Sequence, residues 1–309
     1  MSTKKQPTTL VEAIRYFADL DVATEFVAAL RWPNGPVCPA CGGTEHSYLK
    51  TRRLWKCKAC KKQFSVKVGS IFEDSPIPLD KWLASIWLIA NAKNGISSHE
   101  LGRSVGLTQK SAWFVLHRVR LAMQTKTFDR LTGEIEVDES FIGGKAQFMH
   151  PAKRKAKMAR SGQHGGKTAV MGLLNRDGEV RTVIVPDTTG PTLQAKVYEH
   201  VEPGSAIYSD SWRSYLGLGR DYDHQTIDHA EKYVDGRVHT NGIENFWSLL
   251  KRSLKGTYVS VEPFHLFRYL DEQVFRFNAR KDNDLGRFVV VVSRIAGRRL
   301  TYAGLTGKS

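Results

Sequence analysis

Apolar positions recur at helical spacing along the first 125 residues and at strand spacing beyond about residue 131. Leu10, Ile14, Phe17, Val22, Phe26 and Leu30 follow one another three to five residues apart. Thr9-Leu10-Val11-Glu12 has the form of a capping box, so a helix is predicted over residues 8–32, ended by Arg31-Trp32-Pro33-Asn34-Gly35-Pro36. After Ser75-Pro76-Ile77-Pro78, a second apolar stripe (Trp82, Ile86, Trp87, Ile89) predicts a core helix from Leu79 to Ala92. Ser97 to Leu101 opens a short helix, Val105-Gly106-Leu107 makes a turn, and Thr108 caps a helix reaching Met123. That is the outline of a helix-turn-helix, whose second helix would offer Gln109, Lys110 and Ser111 first, with Arg118 and Arg120 further along.

The period then becomes two. Glu134–Ile142 alternates as a strand with Glu136, Asp138 and Ser140 on one face. Thr168–Leu174 and Val180–Pro186 form a hairpin around Asn175-Arg176-Asp177-Gly178, and a helix is expected from Pro191 to His200. A strand at Ser205–Ser209 runs into Asp210. A helical turn at Trp212–Leu216 and a strand at Gln225–Asp228 follow. The stretch His239–Lys251, read as a helix, comes next, with Ile243, Phe246, Trp247, Leu250 and Leu254 on one arc. Three strands, a helix, a strand, a helical turn, a strand and a helix is the element order of a ribonuclease H-like domain. The fold class read here is therefore α/β, a mixed five-stranded sheet with helices, behind a small ribbon and a helical domain.

Composition narrows the partners. The chain carries 46 Lys and Arg against 31 Asp and Glu, a net charge of +15, which points to a polyanion, nucleic acid first. No apolar run reaches the ~18–20 residues of a spanning helix, and no signal-peptide core follows Met1, so no membrane partner is expected. A cytoplasmic, nucleoid-associated protein is the expectation. Cys38-Pro39-Ala40-Cys41 and Cys57-Lys58-Ala59-Cys60 leave 15 residues between the inner cysteines. Two such turns supply four thiolates to one tetrahedral Zn²⁺ with no open position, so the zinc is structural. Lysines and arginines around Tyr48, Trp55 and Phe64 give this ribbon a basic surface. A second basic stretch lies between Gly143 and Lys167. There Lys145, Lys153, Arg154, Lys155, Lys157, Arg160 and Lys167 occur with no acid, as on a loop lying along a phosphate backbone.

In a sheet of this order the first and fourth strands are neighbours and the late helix crosses them. Asp138, Asp210 and Glu244 are then expected to converge. Three carboxylates at one point repel unless cations lie between them, and oxygen donors without His or Cys suit Mg²⁺ or Mn²⁺. Two ions per site, about 3.5–4 Å apart, would serve an in-line phosphoryl displacement. Lys251 lies seven residues beyond Glu244, roughly 20° around the helix and about 10 Å along it, placed for an adjacent phosphate.

Several stretches together resemble bacterial insertion-sequence transposases of the ISXO-like DDE group. They are Arg31-Trp32-Pro33 with Cys38-Pro39-x-Cys41, Glu136-Val137-Asp138-Glu139-Ser140-x-x-Gly143-Gly144-Lys145, Tyr208-Ser209-Asp210, His239-Thr240-Asn241-Gly242-Ile243-Glu244-x-x-Trp247-Ser248-Leu249-Leu250-Lys251-Arg252, and Phe275–Arg280. The resemblance implies cleavage at transposon ends and strand transfer into target DNA, by a homodimer or higher oligomer on double-stranded DNA. It implies Asp138, Asp210 and Glu244 as the acidic triad, with Lys251 and Arg252 at the DNA. Members of the group differ over whether Asn or Glu supplies the third ligand. This chain carries both Asn241 and Glu244, and a full charge favours Glu244. Glu139 falls on the opposite strand face and is left out. The domains expected are 1–33 helical, 34–75 zinc ribbon, 76–128 helix-turn-helix, 129–285 catalytic and 286–309 a basic tail. The competing readings are a ribonuclease H-like metal nuclease without strand transfer, and a catalytically silent zinc-ribbon regulator.

Overall fold

The computed structural model describes residues 5–125, 129–144, 150–152, 155, 166–210, 213–227 and 239–307. The chain forms two compact units, Met1–Gln124 with Ala279–Ser309, and Thr125–Asn278. Among the described residues no helix is long and apolar enough to cross a membrane.

In the first unit the expected opening helix is two, α1 (Leu10–Phe17) and α2 (Leu20–Arg31). The capping box of Thr9 and Glu12 forms as expected. The break comes from Asp19, whose carboxylate accepts the backbone N–H groups of Asp21 and Val22 and starts a new helix. A short carboxylate that satisfies the orphan donors of a helix start competes well with helix continuation. Strands β1 (His46–Leu49), β2 (Leu54–Cys57) and β3 (Gln63–Phe64) make the antiparallel ribbon sheet. Its apolar side is thin: Trp55 stacks near Phe64, and Trp32 packs edge-on to both. Helix α3 (Leu79–Asn91) buries Trp82, Leu83, Ile86, Trp87 and Ile89 and supplies much of the unit's core.

Helix α4 (Ser98–Val105) and α5 (Gln109–Met123) are separated by a turn in which Gly106 takes φ +65°. A left-handed residue here closes α4 and lets Thr108 cap α5 three residues from the end of α4. The expected basic tail, 286–309, begins inside a helix. The helix Asp284–Ser293 buries Phe288, Val291 and Val292, and Phe288 lies against the rings of Phe17, Phe26 and Trp87. The run Phe288–Val292 is apolar enough to need a core, although Arg287 and Arg294 flank it.

The second unit is built on a five-stranded sheet of order β6-β5-β4-β7-β8. Strand β4 is Glu134–Ile142, β5 Thr168–Asn175, β6 Val180–Val185, β7 Ala206–Asp210 and β8 Asp223–Ile227. The first three are antiparallel neighbours, while β4–β7 and β7–β8 are parallel. The adjacency of the first and fourth strands is as expected. Helix α6 (Gly190–His200) covers one face, where Ile135, Val137, Met171, Leu173, Ile207, Leu193 and Val197 form one core. On the other face lie α7 (Asn241–Ser253) and α8 (Leu266–Asn278), which close Val170, Leu174 and Val180 under Ile243, Phe246, Trp247, Leu250 and Leu270.

Gly172 stands opposite Asp138 in the β4–β5 register. A Cβ there would lie 2.6 Å from Trp247 Cζ2 and 2.8 Å from Ile243 Cδ1, so α7 rests on bare backbone. Gly172→Ala is expected to overpack this contact and destabilise the unit by about 1–3 kcal/mol, read by denaturant unfolding. A change within experimental error would show that the helix does not sit this close.

Candidate active site and zinc centre

Zinc-ligand chemistry is the simpler of the two sites. The Sγ atoms of Cys38, Cys41, Cys57 and Cys60 all lie within 4.8 Å of one another, with 3.6 Å between Cys38 and Cys60 and between Cys41 and Cys57. Cys57 ends β2, and the Cys38–Gly43 loop closes on itself through Cys38 N–H to the Gly43 carbonyl and Gly42 N–H to the Cys38 carbonyl. Four sulfurs at this spacing, in a module with few buried side chains, fit one structural Zn²⁺. Among the described residues this is the one group of three or more His, Cys, Asp or Glu whose ligand atoms are all so close.

The acidic residues are held by β4, β7 and α7. Parallel pairing matches Glu136 with Tyr208 and Val137 with Ser209, so Asp138, in the middle of β4, and Asp210, the last residue of β7, follow next in the register. Asp138 is fixed twice: its Oδ2 accepts the Trp247 indole N–H at 3.0 Å and its Oδ1 the Glu139 backbone N–H at 2.8 Å. Burial is the main reason the Asp138 carboxyl is pushed up to about 6. The charges of Asp210 and Glu244 add to the rise, and the two donated N–H groups oppose it. Asp210 and Glu244 are thus both near enough for their charge to act on Asp138, although the oxygens of the three do not all close to 4.8 Å. Glu244, exposed on the first turn of α7, receives the Thr240 hydroxyl on Oε1 at 3.0 Å. Asn241 is the first residue of that helix and is also exposed.

Glu139 lies on the other side of the sheet, as expected from alternation. The Tyr215 hydroxyl donates to it there, and burial, then the charges of Asp138 and Asp210, push it up to about 8. Trp247 was expected as core packing. It is buried, but its indole N–H makes it a polar partner of Asp138 as well, a role that an apolar stripe does not signal. Glu136, read only as a face-mate of Asp138, is 1% exposed and bonded to the backbone of α7.

The expected DNA-contacting residues divide. Lys251 and Arg252 are exposed on the last turn of α7. Gln109 and Lys110 are exposed at the start of α5, Gln109 reaching Ser98 Oγ at 2.9 Å, and Ser111 is half-buried beside Thr108. Arg118 is a correction. It is 4% exposed, and its guanidinium donates to the carbonyls of Ile71, Glu73 and Leu300, so it braces the first unit. Arg120 is buried too. The outward face of α5 ends earlier than its run of basic residues implies, because Arg118 and Arg120 are buried and carbonyls meet the Arg118 charge there. Lys155 is exposed, whereas Lys153, Arg154 and Trp212 lie outside the described residues.

The four-cysteine ribbon and the mixed five-stranded sheet are the two parts of the chain that comparison with known proteins matches. Residues 130–278 match the ISXO2-like transposase domain, and residues 20–63 match the transposase zinc-ribbon domain. An uncharacterized protein in transposable element ISH50 of Halobacterium salinarum is 24% identical over 253 residues, 78% of this chain and 85% of that protein. A transposase-like protein of Haemophilus influenzae is 36% identical over 101 residues, 32% of this chain and 81% of its own length. The chain belongs to the ISXO2-like transposase family.

Cys57→Ser is expected to lower bound zinc from one equivalent towards none by elemental analysis, and to melt the ribbon while leaving the second unit folded. Zinc retained at one equivalent in that variant would mean that the four sulfurs are not the ligand set.

Proposed function

We propose that the chain is a DNA transposase that binds transposon ends and carries out cleavage and strand transfer in its second unit, a ribonuclease H-like domain. The strand order and the parallel pairing of β4 with β7 support that fold reading. The observation that carries the chemistry is the placing of Asp138 beside β7, which ends in Asp210, and under α7, with its carboxyl raised first by burial and then by the charges of Asp210 and Glu244, in a chain of a transposase family.

The donor set fits Mg²⁺ or Mn²⁺: three carboxylates, no imidazole or thiolate among them, and a mutual repulsion that divalent charge would relieve. Asp138, Asp210 and Glu244 would hold the ions, with Asn241 one turn from Glu244 as the alternative third donor. When bound, a pair of such ions activates the attacking oxygen and stabilises the leaving one. The protein's part is positioning. Trp247 and the Glu139 N–H fix the Asp138 carboxylate, and Thr240 fixes that of Glu244. Lys251 and Arg252 would take the phosphates beside the scissile bond, running along the exposed line of α7. The α4–α5 helix-turn-helix, through Gln109, Lys110 and Ser111, and the basic ribbon would recognise the DNA end. Lys153, Arg154 and Lys155 would add non-specific backbone contacts. Joining two ends calls for a homodimer or larger assembly on DNA.

The test is a strand-transfer assay with end DNA taken from the flanks of the gene. Mg²⁺ should support both cleavage and joining, and EDTA should stop both. Asp210→Asn should keep end-DNA binding within about twofold and lose both reactions. Cleavage that survives the substitution would refute the role of Asp210, and cleavage without joining in the native protein would favour the plain nuclease.

A further inference from the structure

Glu136 is 1% exposed, two residues before Asp138 and on the same face of β4. Its Oε2 accepts the backbone N–H of Ile243 at 2.9 Å, in the first turn of α7. That turn has no side-chain cap from Thr240, so one of its orphan donors is satisfied from another element. Its Oε1 lies 3.0 Å from Arg176 Nε and 3.3 Å from His239 Nδ1. Arg176 in turn donates from Nη2 to the His239 carbonyl at 2.8 Å, and its guanidinium lies 4.0 Å over the Tyr208 ring. The approach is close: a Cβ on Gly242 would come 2.8 Å from Glu136 Oε2.

The spacing of these contacts carries the inference. Glu136 grips residue 243 and Asp138 grips residue 247. Two residues of strand advance about 6.6 Å and four residues of helix about 6 Å, so the two struts match in length. Glu244 lies between the gripped positions. We infer that Glu136, clamped by Arg176, is a positioning residue that fixes the axial register of α7 on β4 and so places Glu244 beside Asp138. The inference rests on the reading of Glu244 as a metal ligand. Apolar packing alone holds the helix against the sheet but allows it to slide along its axis. A charged, directional bond at its N-terminal turn does not.

The test is a double-mutant cycle on the full-length, zinc-loaded chain, read as Mn²⁺ affinity by electron paramagnetic resonance. Glu136→Gln should weaken Mn²⁺ binding about tenfold when Glu244 is present. In the Glu244→Gln chain the same substitution should change affinity less than about twofold, because the group it positions is gone. Equal weakening in both chains, or none in either, would overturn the inference. If Glu244→Gln alone leaves Mn²⁺ affinity unchanged, the ligand reading itself fails and takes the inference with it. Thermal unfolding run alongside keeps loss of fold apart from loss of register. Should Glu136→Gln be unfolded, Arg176→Lys takes its place. It retains the charge but not the fork that joins Glu136 to the His239 carbonyl, and the same Glu244-dependent loss is expected.

Discussion

The seating of α7 on the β4–β5 face is the contact on which the chemistry proposed for the second unit depends. Ile243, Phe246, Trp247 and Leu250 are buried there, and Gly172 provides the gap that lets the indole of Trp247 come close to the strand. Full burial of such side chains contributes about 1.5–3 kcal/mol each, enough to hold the helix down without any charge. Burial is non-directional, however, and an acidic site needs its oxygens placed to a fraction of an ångström. The polar contacts of Asp138 and Glu136 with α7 supply that direction. Packing brings the helix to the sheet, and two hydrogen bonds decide where along the sheet it stops.

The first unit solves a different problem. Its ribbon has three short strands and a handful of aromatic contacts, too little apolar surface for independent stability. Four cysteine sulfurs converging on one point fit a Zn²⁺ whose coordinate bonds would replace the missing core. The helical remainder is ordinary by contrast, with α3 at its centre and the helix Asp284–Ser293 sharing the aromatic cluster of Phe17, Phe26 and Trp87. Several of the 46 basic residues that give the chain its charge are spent inside this unit: Arg118 and Arg120 are buried, and Arg31 donates to the Val66 carbonyl. Net charge alone therefore overstates the surface available to a polyanion.

Local rules made much of this legible in the sequence. The period-two run at Glu134–Ile142, the Asn175–Gly178 turn and the Thr108 cap each sit where the pattern put them. The paired CxxC turns announced the sulfur cluster. Strand order followed from element order, and with it the adjacency of Asp138 and Asp210. Other features depended on contacts between residues far apart in the chain. The Trp247–Asp138 and Ile243–Glu136 bonds span 109 and 107 residues, and no local periodicity encodes them. Arg176 read as part of a turn because its neighbours dictate a turn, while its side chain serves another element. Asp19 split a helix that apolar spacing drew as continuous, since spacing is blind to a capping carboxylate. Residues 286–309 looked like a tail by composition although Phe288–Val292 required a core.

The central claim is that Asp138, Asp210 and Glu244 form one metal-binding centre. Anomalous diffraction from crystals of the protein grown with Mn²⁺ tests it most directly. The account predicts manganese peaks within direct coordination distance of all three carboxylates. Manganese bound to Asn241 in place of Glu244, or a Glu244 carboxylate turned away from the metal, would contradict it.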